Sequence, residues 1–81
     1  MVKKTLRVYN EQESNAFRVL FESEEFCNNR LYESAACKLF RHEYCYVDNG
    51  LVDQIMNWFS RCGLKVRVAK KESYQTMIEL V

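Results

Sequence analysis

The sequence predicts an α/β fold of the α+β type, in which a mainly antiparallel sheet of about four strands is covered on one face by two to three helices. Two observations favour this two-layer sandwich. Apolar residues recur every three or four positions between Leu51 and Cys62, and after Gly63 they alternate with polar residues. Both patterns also occur earlier in the chain, which gives the order β-α-α-β-α-β-β within one compact domain spanning residues 1–81.

The helix with the strongest sequence signal covers residues 51–62. Its apolar residues form one broad stripe: Leu51, Val52, Ile55, Met56, Trp58, Phe59 and Cys62. Asp48 or Asn49 is placed to cap the first turn, and Gly63 can adopt the left-handed conformation that ends a helix. We therefore expect this helix to face the core, with Trp58 buried.

A hairpin is predicted at the end of the chain. Leu64, Val66 and Val68 alternate with basic residues, residues 70–73 supply the turn, and residues 74–80 form the return strand. Since an isolated hairpin is only marginally stable, further strands are needed beside it. Residues 5–9 and 43–47 have the composition of strands and are expected to supply them.

The first half of the chain contains two predicted helical regions. Carboxylates follow Asn10, which is typical of a helix start, and an apolar stripe then continues to Phe21. Residues 16–22 are also compatible with a strand, but the acidic first turn favours the helix. A second capping signal at Ser23 predicts a helical region that continues to about Arg41.

Composition limits the classes of protein to which the chain can belong. Its 81 residues suffice for one core, and a net charge of +1 gives no general attraction to nucleic acid. Neither a secretory signal nor an apolar stretch of the ~18 residues needed to span a bilayer occurs. We therefore expect a cytoplasmic protein with no membrane interaction, in which the four cysteines are reduced thiols.

The sequence gives little indication of catalysis or metal binding. Cys37, His42 and Cys45 place three zinc-ligand side chains close together, but the paired Cys-x2-4-Cys knuckles of structural zinc sites are missing. No nucleophile elbow or glycine-rich phosphate loop accompanies the single histidine. We therefore predict no catalytic residue, no metal site and no cofactor, and the protein is not expected to be an enzyme.

Charge is distributed unevenly along the chain. An acidic block between residues 10 and 36 forms a candidate patch for a partner protein: Glu11, Glu13, Glu22, Glu24, Glu25 and Glu33. Basic and aromatic residues are predicted to share the helix-free face of the sheet, a combination that suits single-stranded nucleic acid: Arg7, Tyr9, Tyr44, Tyr46, Lys65 and Arg67. Ordinary solvated surfaces would give the same two patterns.

The leading expectation is a small non-catalytic protein that binds, and thereby inhibits or regulates, a larger nucleic-acid-handling protein. In size and in its lack of catalytic motifs the chain is similar to the small proteins of phages and mobile elements that block host enzymes, such as anti-CRISPR proteins. This similarity is one of size class, and no motif carries it. The alternative is a domain that binds single-stranded RNA or DNA through its basic, aromatic sheet face, and a homodimer is compatible with either function.

Overall fold

The computed structural model describes residues 9–81, in which four helices and a three-stranded antiparallel sheet form an α+β fold. The helices are α1 (Glu11–Glu22), α2 (Glu24–Asn28), α3 (Arg30–His42) and α4 (Val52–Arg61). The strands are β1 (Tyr44–Asp48), β2 (Val66–Lys71) and β3 (Gln75–Leu80). The predicted α+β class is confirmed. The predicted first strand lies outside the described residues except for Tyr9, which belongs to no strand.

The order of elements differs from the prediction because the second helical region is divided in two. Within residues 9–81 three helices precede the first strand, so the order is α-α-α-β-α-β-β. The division occurs at Asn29, whose side-chain oxygen accepts hydrogen bonds from the backbone N–H groups of Leu31 at 3.0 Å and Tyr32 at 3.4 Å. Asn29 thereby caps α3, and a side chain that caps one helix interrupts the helix before it.

Helix α1 begins at the predicted capping residue. The Asn10 side chain accepts a hydrogen bond from the Glu13 N–H at 2.7 Å, and the Glu13 carboxylate accepts one from the Asn10 N–H at 3.2 Å. This reciprocal arrangement is a capping box, and it satisfies two N–H groups that the helix leaves without an internal partner. Residues 16–22 are helical, so the helical interpretation is confirmed and the strand alternative is wrong.

The sheet has the strand order β1-β3-β2, with β3 in the centre and antiparallel to both neighbours. Every second residue of β1 and β3 is buried, because successive side chains of a strand point to opposite faces. Strand β2 continues to Lys71, so residues 70 and 71 belong to the strand and not to the turn predicted there. One sheet face packs on helices, and no element within residues 9–81 covers the opposite face, which we call the open face.

The core lies between the helices and the covered face of the sheet. Helix α4 contributes Ile55, Trp58 and Phe59, each no more than 1 % exposed, so the predicted stripe and the burial of Trp58 are confirmed. Gly63, with φ of 105°, follows the end of α4 in the predicted left-handed region. No helix within residues 9–81 combines the length and hydrophobicity that a membrane crossing requires.

The predicted cap of α4 is wrong. A 3-10 turn (Asn49–Leu51) separates β1 from α4, and the N-cap position is Leu51, which supplies no side-chain hydrogen bond. Asn49 instead bonds to the hairpin. Its Nδ2 donates to the carbonyl oxygens of Glu72 and Ser73, each at 3.0 Å, and its Oδ1 accepts from Thr76 Oγ1 at 2.6 Å.

Candidate functional site

The turn between α1 and α2 brings three carboxylates to one surface. Ser23 ends α1 and begins α2, and its Oγ accepts hydrogen bonds from the Phe26 N–H at 3.3 Å and from Trp58 Nε1 at 3.1 Å. The hydroxyl in turn donates to the Leu20 carbonyl at 2.7 Å. Because these bonds fix the turn against α4, the flanking carboxylates have a defined position. We call these residues the acidic corner: Glu22, Glu24 and Glu25.

The other three carboxylates of the predicted acidic patch lie elsewhere. Glu11 is at the opposite end of α1 from Glu22, about 16 Å along the helix axis. Glu13, beside it, is part of the capping box, and Glu33 is in the first turn of α3. The six glutamates therefore do not form one continuous patch, and only the acidic corner is compact.

The members of the acidic corner differ in their partners. Glu25 forms a salt bridge with Arg61 at 3.4 Å, and both side chains are more than a third exposed. Within the described residues Glu22 and Glu24 form no salt bridge. An exposed pair such as Glu25–Arg61 contributes little to stability and is exchanged readily. The corner therefore presents net negative charge.

An aromatic groove adjoins the acidic corner. It has a volume of about 380 Å³ and lies between α1 and the end of α3. Its walls are formed by Tyr9, Ser14, Phe17, Arg18, Phe21, Glu22 and Phe40. The Tyr9 hydroxyl donates to the Phe40 carbonyl at 2.6 Å, and the Phe17 and Phe40 rings meet edge to face with centroids 4.9 Å apart. Glu22 belongs to both features.

Sequence reasoning missed this groove. The spacing of Phe17 and Phe21 is a signal in the sequence, but the same spacing is typical of core residues. Phe40, which completes the groove, remains 41 % exposed, and Phe21 is half-buried. Tyr9 was expected on the open face of the sheet, and it packs against helices instead, with its ring centroid 5.0 Å from that of Phe17. Apolar side chains at an uncovered corner have the same spacing as those of the core.

The open face of the sheet contains most of the remaining candidates for nucleic-acid binding. Tyr44 and Tyr46 lie on it with their rings perpendicular and 6.2 Å apart, 41 % and 38 % exposed. Arg67 reaches the same face beside Glu79, across from Tyr44. Lys65 directly precedes β2 and is exposed, whereas Arg7 lies outside the described residues. The structure thus brings together the two tyrosines and Arg67.

Two cations of this face, Arg67 and Lys70, are paired with carboxylates. Arg67 bonds to Glu79 Oε2 through both Nε and a terminal nitrogen, each at 2.6 Å. Lys70 lies 3.3 Å from the Glu72 carboxylate. A phosphate would have to compete with these carboxylates for the same donors. The open face therefore offers exposed aromatic rings but little net positive charge.

The cysteines are free thiols, and they do not converge on a metal site. Cys27 is exposed, Cys37 and Cys62 are half-buried, and Cys45 is buried on the core face of β1. The His42 ring lies 6.0 Å from that of Tyr44, which is on the opposite face of the strand from Cys45. Within residues 9–81 no cluster of three or more His, Cys, Asp or Glu side chains has the geometry to hold a metal ion.

Comparison with known proteins adds no relative. No protein-family model matches the chain, and neither the curated proteins nor the solved structures include one with significant similarity to it.

Proposed function

We propose that the protein is a non-catalytic binding protein that inhibits or regulates a larger nucleic-acid-handling protein by binding a basic surface of it. The observation that carries this proposal is that the acidic corner and the aromatic groove share Glu22. A partner with a cationic side chain next to an apolar one would bind both at once. In this proposal the protein acts in the cytoplasm, where its thiols stay reduced.

The two features contribute in different ways to binding. Uncompensated carboxylates attract a basic partner over several ångströms and raise the association rate, whereas buried aromatic contacts slow dissociation. Glu22 and Glu24 form no salt bridge within residues 9–81, so a partner's cation does not have to displace an internal one. Phe40 is already 41 % exposed and can receive an apolar side chain without rearrangement of the core.

The class of partner follows from the charge. A protein groove that holds nucleic acid is lined with Lys and Arg side chains spaced to meet phosphates. Carboxylates close together on a rigid corner present a similar array of negative charge. A small acidic surface of this kind would occupy part of such a groove and exclude the nucleic acid from it.

A second candidate function is the binding of single-stranded nucleic acid on the open face of the sheet. It is favoured by the exposed rings of Tyr44 and Tyr46, because bases stack on aromatic side chains with little sequence preference. The pairing of Arg67 with Glu79 and of Lys70 with Glu72 argues for weak, salt-dependent phosphate binding. We therefore rank this function second.

The experiment compares charge-reversed variants of equal net charge. Glu22→Lys with Glu24→Lys alters the acidic corner, and Glu11→Lys with Glu33→Lys makes the same change outside it. The corner pair replaces one first-turn carboxylate, Glu24 of α2, and the control pair replaces two, Glu11 of α1 and Glu33 of α3, so the control loses at least as much dipole stabilisation. Tagged wild type and both variants are used to capture partners from nuclease-treated lysate, and binding to short oligonucleotides is measured by fluorescence anisotropy.

We expect wild type and the Glu11/Glu33 variant to retain the same nuclease-resistant protein partner, and the Glu22/Glu24 variant to lose it. Phe40→Ala should weaken the same interaction, since it removes one wall of the groove. Equal retention by all variants would contradict the proposal. Tight oligonucleotide binding at physiological salt that is lost in Arg67→Glu, with no nuclease-resistant partner, would replace it with the second candidate.

A further inference from the structure

The two outer strands of the described sheet differ in how well they are protected from pairing with another strand. Strand β2 has a bulge at Ala69, which has no partner on β3, and ends in Lys70 and Lys71. Bulges and lysines on an edge strand discourage the addition of a further strand. Strand β1 pairs with β3 without a bulge and contains neither lysine nor proline. The edge of β1 is therefore regular and lacks these protections.

The orientation of the β1 backbone follows from the hydrogen bonds at its two ends. The Glu43 carbonyl accepts from the Leu80 N–H at 2.9 Å, and the Asn49 N–H donates to the Tyr74 carbonyl at 3.1 Å. Odd-numbered residues of this segment thus bond toward β3. Backbone groups alternate in direction along a strand, so those of Tyr44, Tyr46 and Asp48 point away from β3. They are arranged symmetrically about Tyr46.

We propose that β1 pairs in antiparallel fashion with β1 of a second copy of this chain, around a twofold axis at Tyr46. The N–H and C=O of Tyr46 then exchange hydrogen bonds with those of the partner subunit's Tyr46. Tyr44 lies opposite the partner subunit's Asp48, and the reverse contact is identical by symmetry. The two three-stranded sheets become one continuous sheet with an open face that spans both copies.

Charge complementarity supports a second copy as the occupant. Asp48 lies at one end of the β1 edge, and Lys38 of α3 lies toward the other end, close to Cys45. Antiparallel pairing brings Asp48 of each copy toward the partner subunit's Lys38. An edge that contains both halves of a complementary pair is suited to binding itself.

Apolar surface next to the edge points to the same occupant. Leu31 of α3 is 56 % exposed and lines a pocket of about 80 Å³ between α3 and the last residues of β1. Tyr46 and Asp48 also line this pocket. Since α3 packs on β1, pairing of the two β1 strands places the α3 helices of both copies side by side and covers Leu31.

The oligomeric state tests this proposal. Sedimentation velocity from about 1 µM to about 1 mM should show a concentration-dependent dimer of wild type. Tyr46→Lys puts two lysines directly opposite each other and should raise the dimer dissociation constant about tenfold or more. Val68→Lys, at an exposed position of β2 on the opposite edge, is the matched control and should leave it unchanged. Tyr44→Lys faces the partner subunit's Asp48 and should keep or tighten the dimer.

Amide exchange gives a second measurement that does not depend on any variant. The Tyr46 N–H should become more protected as the concentration of wild type rises, whereas the Val68 N–H should not. A wild type that is monomeric at about 1 mM overturns the proposal. This holds even if another protein is then found to add a strand to β1. If Tyr46→Lys and Val68→Lys weaken the dimer equally, the pairing through β1 is overturned. If Tyr46→Lys and Tyr44→Lys weaken it equally, the proposed register is overturned.

Discussion

Trp58 Nε1 donates a hydrogen bond to Ser23 Oγ at 3.1 Å, and this bond joins α4 to the turn between α1 and α2. Trp58 is fully buried, and its ring packs between those of Tyr32 and Phe59 with centroid distances of 4.9 and 5.4 Å. Ser23 is the residue between Glu22 and Glu24. The position of the acidic corner at the surface therefore depends on a tryptophan in the core.

Trp58→Ala should destabilise the fold by about 3 to 5 kcal/mol, because it removes a large, fully buried aromatic side chain. Urea denaturation followed by circular dichroism measures this change. The emission of native wild type should also be blue-shifted. Val19→Ala, at a half-exposed position of α1, is the control and should cost less than about 1 kcal/mol. Solvent-exposed emission in the native protein would contradict the assigned burial.

The Trp58–Ser23 hydrogen bond is expected to appear as coupling between two substitutions. Trp58→Phe keeps most of the apolar volume and loses the donor, and Ser23→Ala loses the acceptor together with the α2 cap. Their combined cost should be smaller than the sum of the separate costs by roughly 0.5 to 1.5 kcal/mol. A double-mutant cycle from denaturation curves measures this coupling. Strict additivity would mean that the bond contributes nothing in solution.

Gly63→Ala should destabilise the protein by about 1 to 2 kcal/mol. Gly63 has φ of 105°, which strains any residue with a Cβ, and the added Cβ would lie 3.4 Å from the Ala16 Cβ of α1. Gly50→Ala is the matched control, because no atom lies within 4 Å of the added Cβ and the backbone is not in the left-handed region. Its midpoint of denaturation should be unchanged or slightly higher. Equal effects of both variants would rule out backbone strain as the cause.

The parts of the fold that the sequence predicted well are those in which one local pattern determines the result. The α4 stripe and Gly63 lie next to each other in the chain, and so do Asn10 and Glu13 of the capping box. Three strands of the sheet and the burial alternation of β3 also follow from period-two patterns. In each case the interacting residues are within a few positions of one another, and no knowledge of the tertiary structure is needed.

The errors arise where a side chain has a partner that is distant in sequence. Asn49 is of a residue type that often caps helices, but its side chain forms hydrogen bonds with Glu72, Ser73 and Thr76 of the hairpin. Tyr9 ends a segment, residues 5–9, whose apolar and polar residues alternate as in a strand, but its ring packs against those of Phe17 and Phe40. The predicted acidic patch has the same limitation. Glu11 and Glu22 are near each other in the sequence, but they lie at opposite ends of α1. The Glu79 partner of Arg67 is likewise apparent only from the strand register.

Asn49→Ala should cost about 2 to 3 kcal/mol, more than a usual surface substitution. The change removes the partner of the buried Thr76 hydroxyl and two hydrogen bonds to carbonyl oxygens of the hairpin turn. Asn10→Ala, which removes a cap exposed to solvent, should cost about 1 kcal/mol. Thermal denaturation of both variants measures the difference. A smaller loss for Asn49→Ala than for Asn10→Ala would contradict the importance of this network.

The buried thiol of Cys45 predicts how stability depends on pH. Burial raises the pKa of Cys45 from 9.0 to about 12, against the opposing effect of the nearby Lys38 ammonium. Between these two values the unfolded chain loses the thiol proton while the folded chain keeps it. The stability that Cys45 contributes is therefore fully present below about pH 9 and is lost as the pH rises from about 9 to about 12.

The corresponding measurement compares wild type with Cys45→Val by urea denaturation at about pH 8 and about pH 10.5. The advantage of wild type over the variant should fall by about 2 kcal/mol between these values, since each pH unit in this window costs about 1.4 kcal/mol. Taking the difference cancels the titration of lysines and tyrosines that both proteins share. Val19→Ala removes no titratable group, and its difference from wild type should stay constant. A Cys45→Val difference that is equally constant would mean that the Cys45 thiolate forms in the folded protein as readily as in the unfolded chain.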